Sequence, residues 1–69
     1  MIIEVDTRNL SENEIFKLVT SGLIFRNQHV HNTYYTENLD CHDIAMILNK
    51  NIIINYNHNT HEYRMSFDI

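Results

Sequence analysis

The chain has no proline, no tryptophan, one glycine and one cysteine in 69 residues. Each shortage excludes something. A single glycine cannot build the glycine-rich loop that cradles phosphates, so nucleotide motifs of that kind are ruled out. One cysteine, Cys41, cannot form an internal disulfide, which fits a reducing compartment. The longest unbroken apolar run is only a few residues and no basic-plus-apolar leader opens the chain. Neither a signal peptide nor a membrane span is therefore expected, and the expected location is cytoplasmic. Positive charge is scarce too. Five Lys and Arg stand against nine Asp and Glu, a formal net charge of −4, so nonspecific attraction to phosphate backbones is not expected and a nucleic-acid-binding domain is disfavoured.

What is present fits a folded chain. A hydrophobic fraction of 43% with 20% charged residues indicates one globular domain spanning residues 1–69. Ordering such a chain opposes folding by on the order of 100 kcal/mol. A domain this small buries only about 60% of its unfolded surface, so a dimer interface or a bound metal would add stability. Ten Asn and ten Ile give the chain the look of an AT-rich coding sequence. Such sequences are usually lysine-rich, yet only Lys17 and Lys50 occur. Positive charge kept off the surface is one reading of that gap, and small-sample scatter is the other.

Local signals set the elements. In LSENEIFKLVTSGL, Ser11 and Glu14 form a capping box, and Leu10 with Ile15 a hydrophobic staple. Ile15, Leu18 and Val19 share one face, widened by Phe16, and Gly22 suits the left-handed position that ends a helix. The pattern predicts a helix over 12–21, with Leu23 packing back on Leu18. A second helix starts with the same grammar: Leu39 as staple, Asp40 as cap, Asp43 in the first turn and Ile44 as staple partner. Its apolar face is Cys41, Ile44, Ala45, Ile47 and Leu48, and Asn49 to Asn51 end it. MIIEVD reads as a short covered strand, LIFRNQHVH as a strand and NTYYT as a short strand. NIIINYNHNTHEYRMSFDI reads as a hairpin turning at 57–60, with Ile52, Ile54 and Tyr56 alternating on one side and Tyr63, Met65 and Phe67 alternating on the returning strand. The order is β-α-β-β-α-β-β. It predicts an α+β fold, an antiparallel sheet with two helices on one face, resembling a ferredoxin-like core with an added edge strand.

The stretch HVHNTYYTENLDCH, residues 29–42, concentrates the candidate chemistry. His29 and His31 would share a strand face, and with His58 and His61 they make a metal-binding module the alternative function. Their spacing matches no structural zinc pattern, and no cofactor is expected. Cys41 at a helix start has thiolate-favouring geometry, but flanking Asp40 and Asp43 oppose it, and residue 41 falls on the apolar stripe. The carboxylates Glu12, Glu14, Asp40 and Asp43 suit helix starts better than acid–base catalysis. No enzymatic activity is expected.

Tyr34 and Tyr35 remain. One of an adjacent strand pair faces the core and the other faces out, amid Asn, Thr and Glu, a composition common on recognition surfaces. The general look, small, acidic and without catalytic grammar, is similar to accessory proteins of phages and mobile elements. The expected function is an acidic protein-binding module that inhibits or modulates a host enzyme handling nucleic acid. Its partner-binding residues would be Tyr34, Tyr35, Glu37, Asp40, Asp43, Glu12 and Glu14, with Asp6 adding charge. The partner is expected to be protein, without membrane or direct nucleic-acid contact. A homodimer is also expected, through strand 61–67 as a free sheet edge or through the sheet face beside it.

Overall fold

A computed structural model describes residues 2–37 and 41–68. The element order is the expected one: β1 (Ile3–Val5), α1 (Glu12–Thr20), β2 (Phe25–Arg26), β3 (Tyr34–Thr36), α2 (Cys41–Leu48), β4 (Ile52–Asn57) and β5 (Glu62–Phe67). Five strands form one sheet in the order β2-β3-β1-β5-β4. β3 lies between β1 and β2 and runs antiparallel to both. The sheet is nevertheless mixed, because β1 and β5 pair in parallel.

The largest departure from expectation is the place of β5. It is not an edge strand. It is inserted between β1 and β4, with Met65 opposite Val5 on one side and Ile54 on the other. The edges are β2 and β4. The predicted dimer contact through strand 61–67 is therefore withdrawn, since both sides of that strand are already paired.

The helices begin and end as their local chemistry dictates. The Ser11 hydroxyl accepts from the Glu14 N–H at 3.2 Å, and the Ser11 N–H donates to the Glu14 carboxylate at 2.9 Å. Beyond α1, Gly22 takes φ of +73° and the Leu23 N–H donates to the Leu18 carbonyl at 3.0 Å, which brings Leu23 back onto the core. α2 stops at Asn49, whose φ is +53°. The proposed cap Asp40 and staple Leu39 lie outside the described residues.

The strand expected over 23–31 is cut to two residues. The side-chain oxygen of Asn27 accepts the N–H groups of His29 (2.9 Å) and Val30 (3.2 Å). Those donors are then lost to a ladder, and the chain folds into a compact turn closed by Asn27 N–H to Thr33 carbonyl at 2.9 Å. His29 and His31 thus sit on a turn, not on one face of a strand. Asn57 does the same at the hairpin, accepting from the N–H groups of Asn59 and Thr60. There the positive φ falls on His61 (+59°) rather than on an asparagine.

Both helices cover one sheet face. Leu18, Ile24, Ile44 and Leu48 pack with Ile3, Val5, Tyr34, Met65 and Phe67 into the core. Ile15, Leu23, Cys41, Ile52 and Tyr63 pad its margin. Phe16, Val19 and Ile47, counted on the apolar helix faces, are exposed instead. No helix among the described residues is long and apolar enough to cross a membrane.

Candidate interaction surface

Opposite residues in a ladder point to the same side, so the register decides what each face carries. Val5, Tyr34, Met65 and Ile54 align on the helix-covered face. One residue along, Phe25, Tyr35, Glu4, Arg64 and Asn55 form a row across all five strands on the other face. Among the described residues no helix covers that second face. Ile2 and Glu62, two positions from Glu4 and Arg64, belong to it by alternation, as does Ile53 opposite Ser66.

The open face is apolar at one end and charged across its middle. Phe25 and Tyr35 stack obliquely with ring centroids 5.5 Å apart. The turn after β2 rises beside them, leaving an open groove of about 760 Å³ whose lining includes Ile2, Glu4, Tyr35, Glu37 and Glu62. Arg26 and His29 contribute to the same lining. Arg64 reaches Glu4 at 3.7 Å and Asp6 at 3.6 Å, while Asp6 is held mainly by Arg8 at 2.6 Å. That bond, made first by the guanidinium side chain, lowers the Asp6 pKa below its usual 3.8 against the opposing effect of burial. Glu37 and Glu62 form no ion pair among the described residues. The groove therefore holds two carboxylates outside any ion pair among the described residues, with Arg26 and His29 on the same lining, next to partly exposed aromatic surface.

The residues singled out from sequence separate into two groups. Tyr35 and Glu37 line the groove. Tyr34 also touches the groove lining but does not serve as an exposed anchor: its side faces the helices, it is 8% exposed, and the Arg26 guanidinium lies 5.9 Å from its ring centre. Glu12 and Glu14 sit in the first turn of α1 and Asp43 in that of α2, away from the open face. Glu14 is also engaged. The Ser11 N–H first, and then the Lys50 ammonium at 3.1 Å, lower its pKa below the usual 4.5. Asp40 lies outside the described residues.

The four histidines proposed as metal ligands do not converge. Among the described residues no three His, Cys, Asp or Glu side chains are placed to hold a metal ion. His58 and His61 instead surround Tyr56: His58 meets its ring edge-on at 4.9 Å, and the Tyr56 hydroxyl lies 2.9 Å from His61 Nδ1. Cys41 is partly buried against the core.

Sequence reading missed Ile2, Glu4 and Glu62 as members of the surface. The signal was the parity of β1: with Ile3 and Val5 inward, Ile2 and Glu4 must face out. The chain matches no protein-family model, no curated protein and no solved structure.

Proposed function

We propose that the chain is a small protein-binding module whose uncovered sheet face takes up a basic segment of a protein partner. The observation that carries this reading is the groove holding Glu37 and Glu62, which enter no ion pair among the described residues, beside Tyr35. Carboxylates of this kind attract cationic side chains and steer encounter, while a partly exposed tyrosine supplies rigid apolar contact. An enzyme that handles nucleic acid presents such a basic groove. A net charge of −4 lets this protein compete there as an inhibitor or modulator, in the manner of phage and mobile-element accessory proteins. The protein acts by occupancy and not by catalysis.

Calorimetric titration with oligo-arginine and oligo-lysine peptides, with oligo-glutamate as control, tests the reading. Only the cationic peptides should bind, and more weakly as salt rises above about 0.15 M. Tyr35→Ala should weaken binding by about tenfold, the scale of a central aromatic contact. Glu37→Gln and Glu62→Gln should each weaken it by about two- to fivefold, the scale of exposed charge pairs. Equal binding of oligo-glutamate, or no effect of all three substitutions, contradicts the reading.

A further inference from the structure

The two sheet edges are unlike. β2 is two residues long, carries Arg26 and is followed at once by the Asn27 turn, so it offers almost nothing for another strand to pair with. β4 is six residues long, Ile-Ile-Ile-Asn-Tyr-Asn, and is paired to β5 residue for residue without a bulge. It contains no charge and no proline. Among the described residues no strand lies beside its outer backbone groups, and Ile53, Ile54 and Tyr56 are 44%, 37% and 39% exposed. The devices that usually protect an edge are absent from this one.

The total surface points the same way. The chain exposes 5153 Å², whereas a monomer of 8.3 kDa is expected to expose about 4,600 Å². The excess, about 550 Å² over the whole chain, is smaller than the roughly 800 Å² that each partner contributes to a standard interface.

We propose that β4 pairs antiparallel with β4 of a second copy, joining two sheets into one of ten strands. A second copy fits better than an unrelated strand because the edge is self-complementary. Two chains of charge −4 repel wherever acids face each other, and this uncharged strand is where they can meet without that repulsion. Symmetry then restricts the register. Two antiparallel strands of one sheet are related by a two-fold axis normal to the sheet, so each face maps onto itself and opposite residues must share parity. Centring the axis on Ile54 sets Ile54 against Ile54 and Ile52 against Tyr56, which matches apolar with apolar along the helix side. The helices of both copies then lie on the same side of the joined sheet. This pairing does not depend on the basic-partner reading.

The test combines mass with cross-linking. Light scattering at tens to hundreds of micromolar should give twice the 8.3 kDa chain mass. Ile54→Lys, which sets two ammonium groups against each other on the axis, should return the monomer with an unchanged far-UV spectrum. In a Cys41→Ser background, Ile54→Cys should form an intermolecular disulfide under mild oxidation. Asn57→Cys should not, because this register holds the two copies of that residue about 20 Å apart. A wild-type monomer at several hundred micromolar would overturn the proposal. So would equal cross-linking of the two cysteine variants, or a dimer that survives Ile54→Lys.

Discussion

Truncating Met65 tests the interior position of β5 and, with it, the strand order. Met65 is fully buried, between Val5 of β1 and Ile54 of β4. Met65→Ala removes three heavy atoms from a site walled on both sides by paired strands, so little collapse is available to fill the space. The expected loss is about 2–5 kcal/mol. A chain of this length has a total stability of roughly 3.5–10 kcal/mol at 0.05–0.15 kcal/mol per residue. The substitution should therefore remove about a fifth of it at the least, and most or all of it at the low end of that stability range. In Tm, a 3 kcal/mol loss corresponds to a fall of about 12–24 °C. Arg64→Ala is the matched control one position away on the open face. It loses two long ion pairs of a half-exposed guanidinium, at 3.6 and 3.7 Å, and leaves Asp6 held by Arg8, for a cost of about 1 kcal/mol or less. Urea unfolding followed by far-UV circular dichroism gives both values, at a few micromolar and again at tenfold higher concentration to separate self-association. A loss below about 1 kcal/mol for Met65→Ala, or an equal loss for Arg64→Ala, would refute a central β5.

Ser11→Ala removes the acceptor for the Glu14 N–H and should lower stability by about 1 kcal/mol in the same unfolding assay. Asn27→Ala frees the N–H groups of His29 and Val30. It should accelerate proteolytic cleavage within 27–33 while leaving thermal unfolding within about 2 kcal/mol of wild type. Acid should destabilise the fold through Asp6 and Glu14, whose folded-state pKa values are lowered from 3.8 and 4.5. A lowered carboxylate pKa contributes stability that is complete above the unfolded value and disappears as pH falls through the folded one. The urea midpoint should therefore begin to drop near pH 4.5 and keep falling below 3.8, with Glu14→Gln and Asp6→Asn each flattening part of the slope. A midpoint that rises between pH 5 and 3 contradicts the assignment.

The parts of the fold written in neighbouring residues were legible, and those that depend on distant pairing were not. The Ser11–Glu14 box and the Gly22 turn are each closed within a few positions, so residue type alone specifies them. The hairpin from Ile52 to Phe67 was equally readable, because two alternating apolar stripes flank an asparagine-rich turn. Strand order is different. Nothing local to Glu62–Phe67 distinguishes a central strand from an edge one, and parallel pairing with β1 joins residues about sixty apart. Ile52–Ile54 even misleads, because an unbroken β-branched run resembles an interior strand and here forms the edge. The strand over 23–31 failed for a local reason, since the single Asn27 side chain diverts two backbone donors. The surface was half readable. Tyr35 and Glu37 follow from alternation beside Tyr34, whereas Glu4 and Glu62 join them only once β1 and β5 are known to be neighbours.

The claim that the uncovered face is the binding surface is most directly tested by amide chemical-shift mapping during titration with an oligo-arginine peptide. The account predicts shifts concentrated at Ile2, Glu4, Tyr35, Glu37 and Glu62, with α1 and α2 unaffected, and their suppression in Tyr35→Ala. Shifts gathered instead at Glu12 and Asp43 on the helix layer, or no saturable shifts at all, would contradict it.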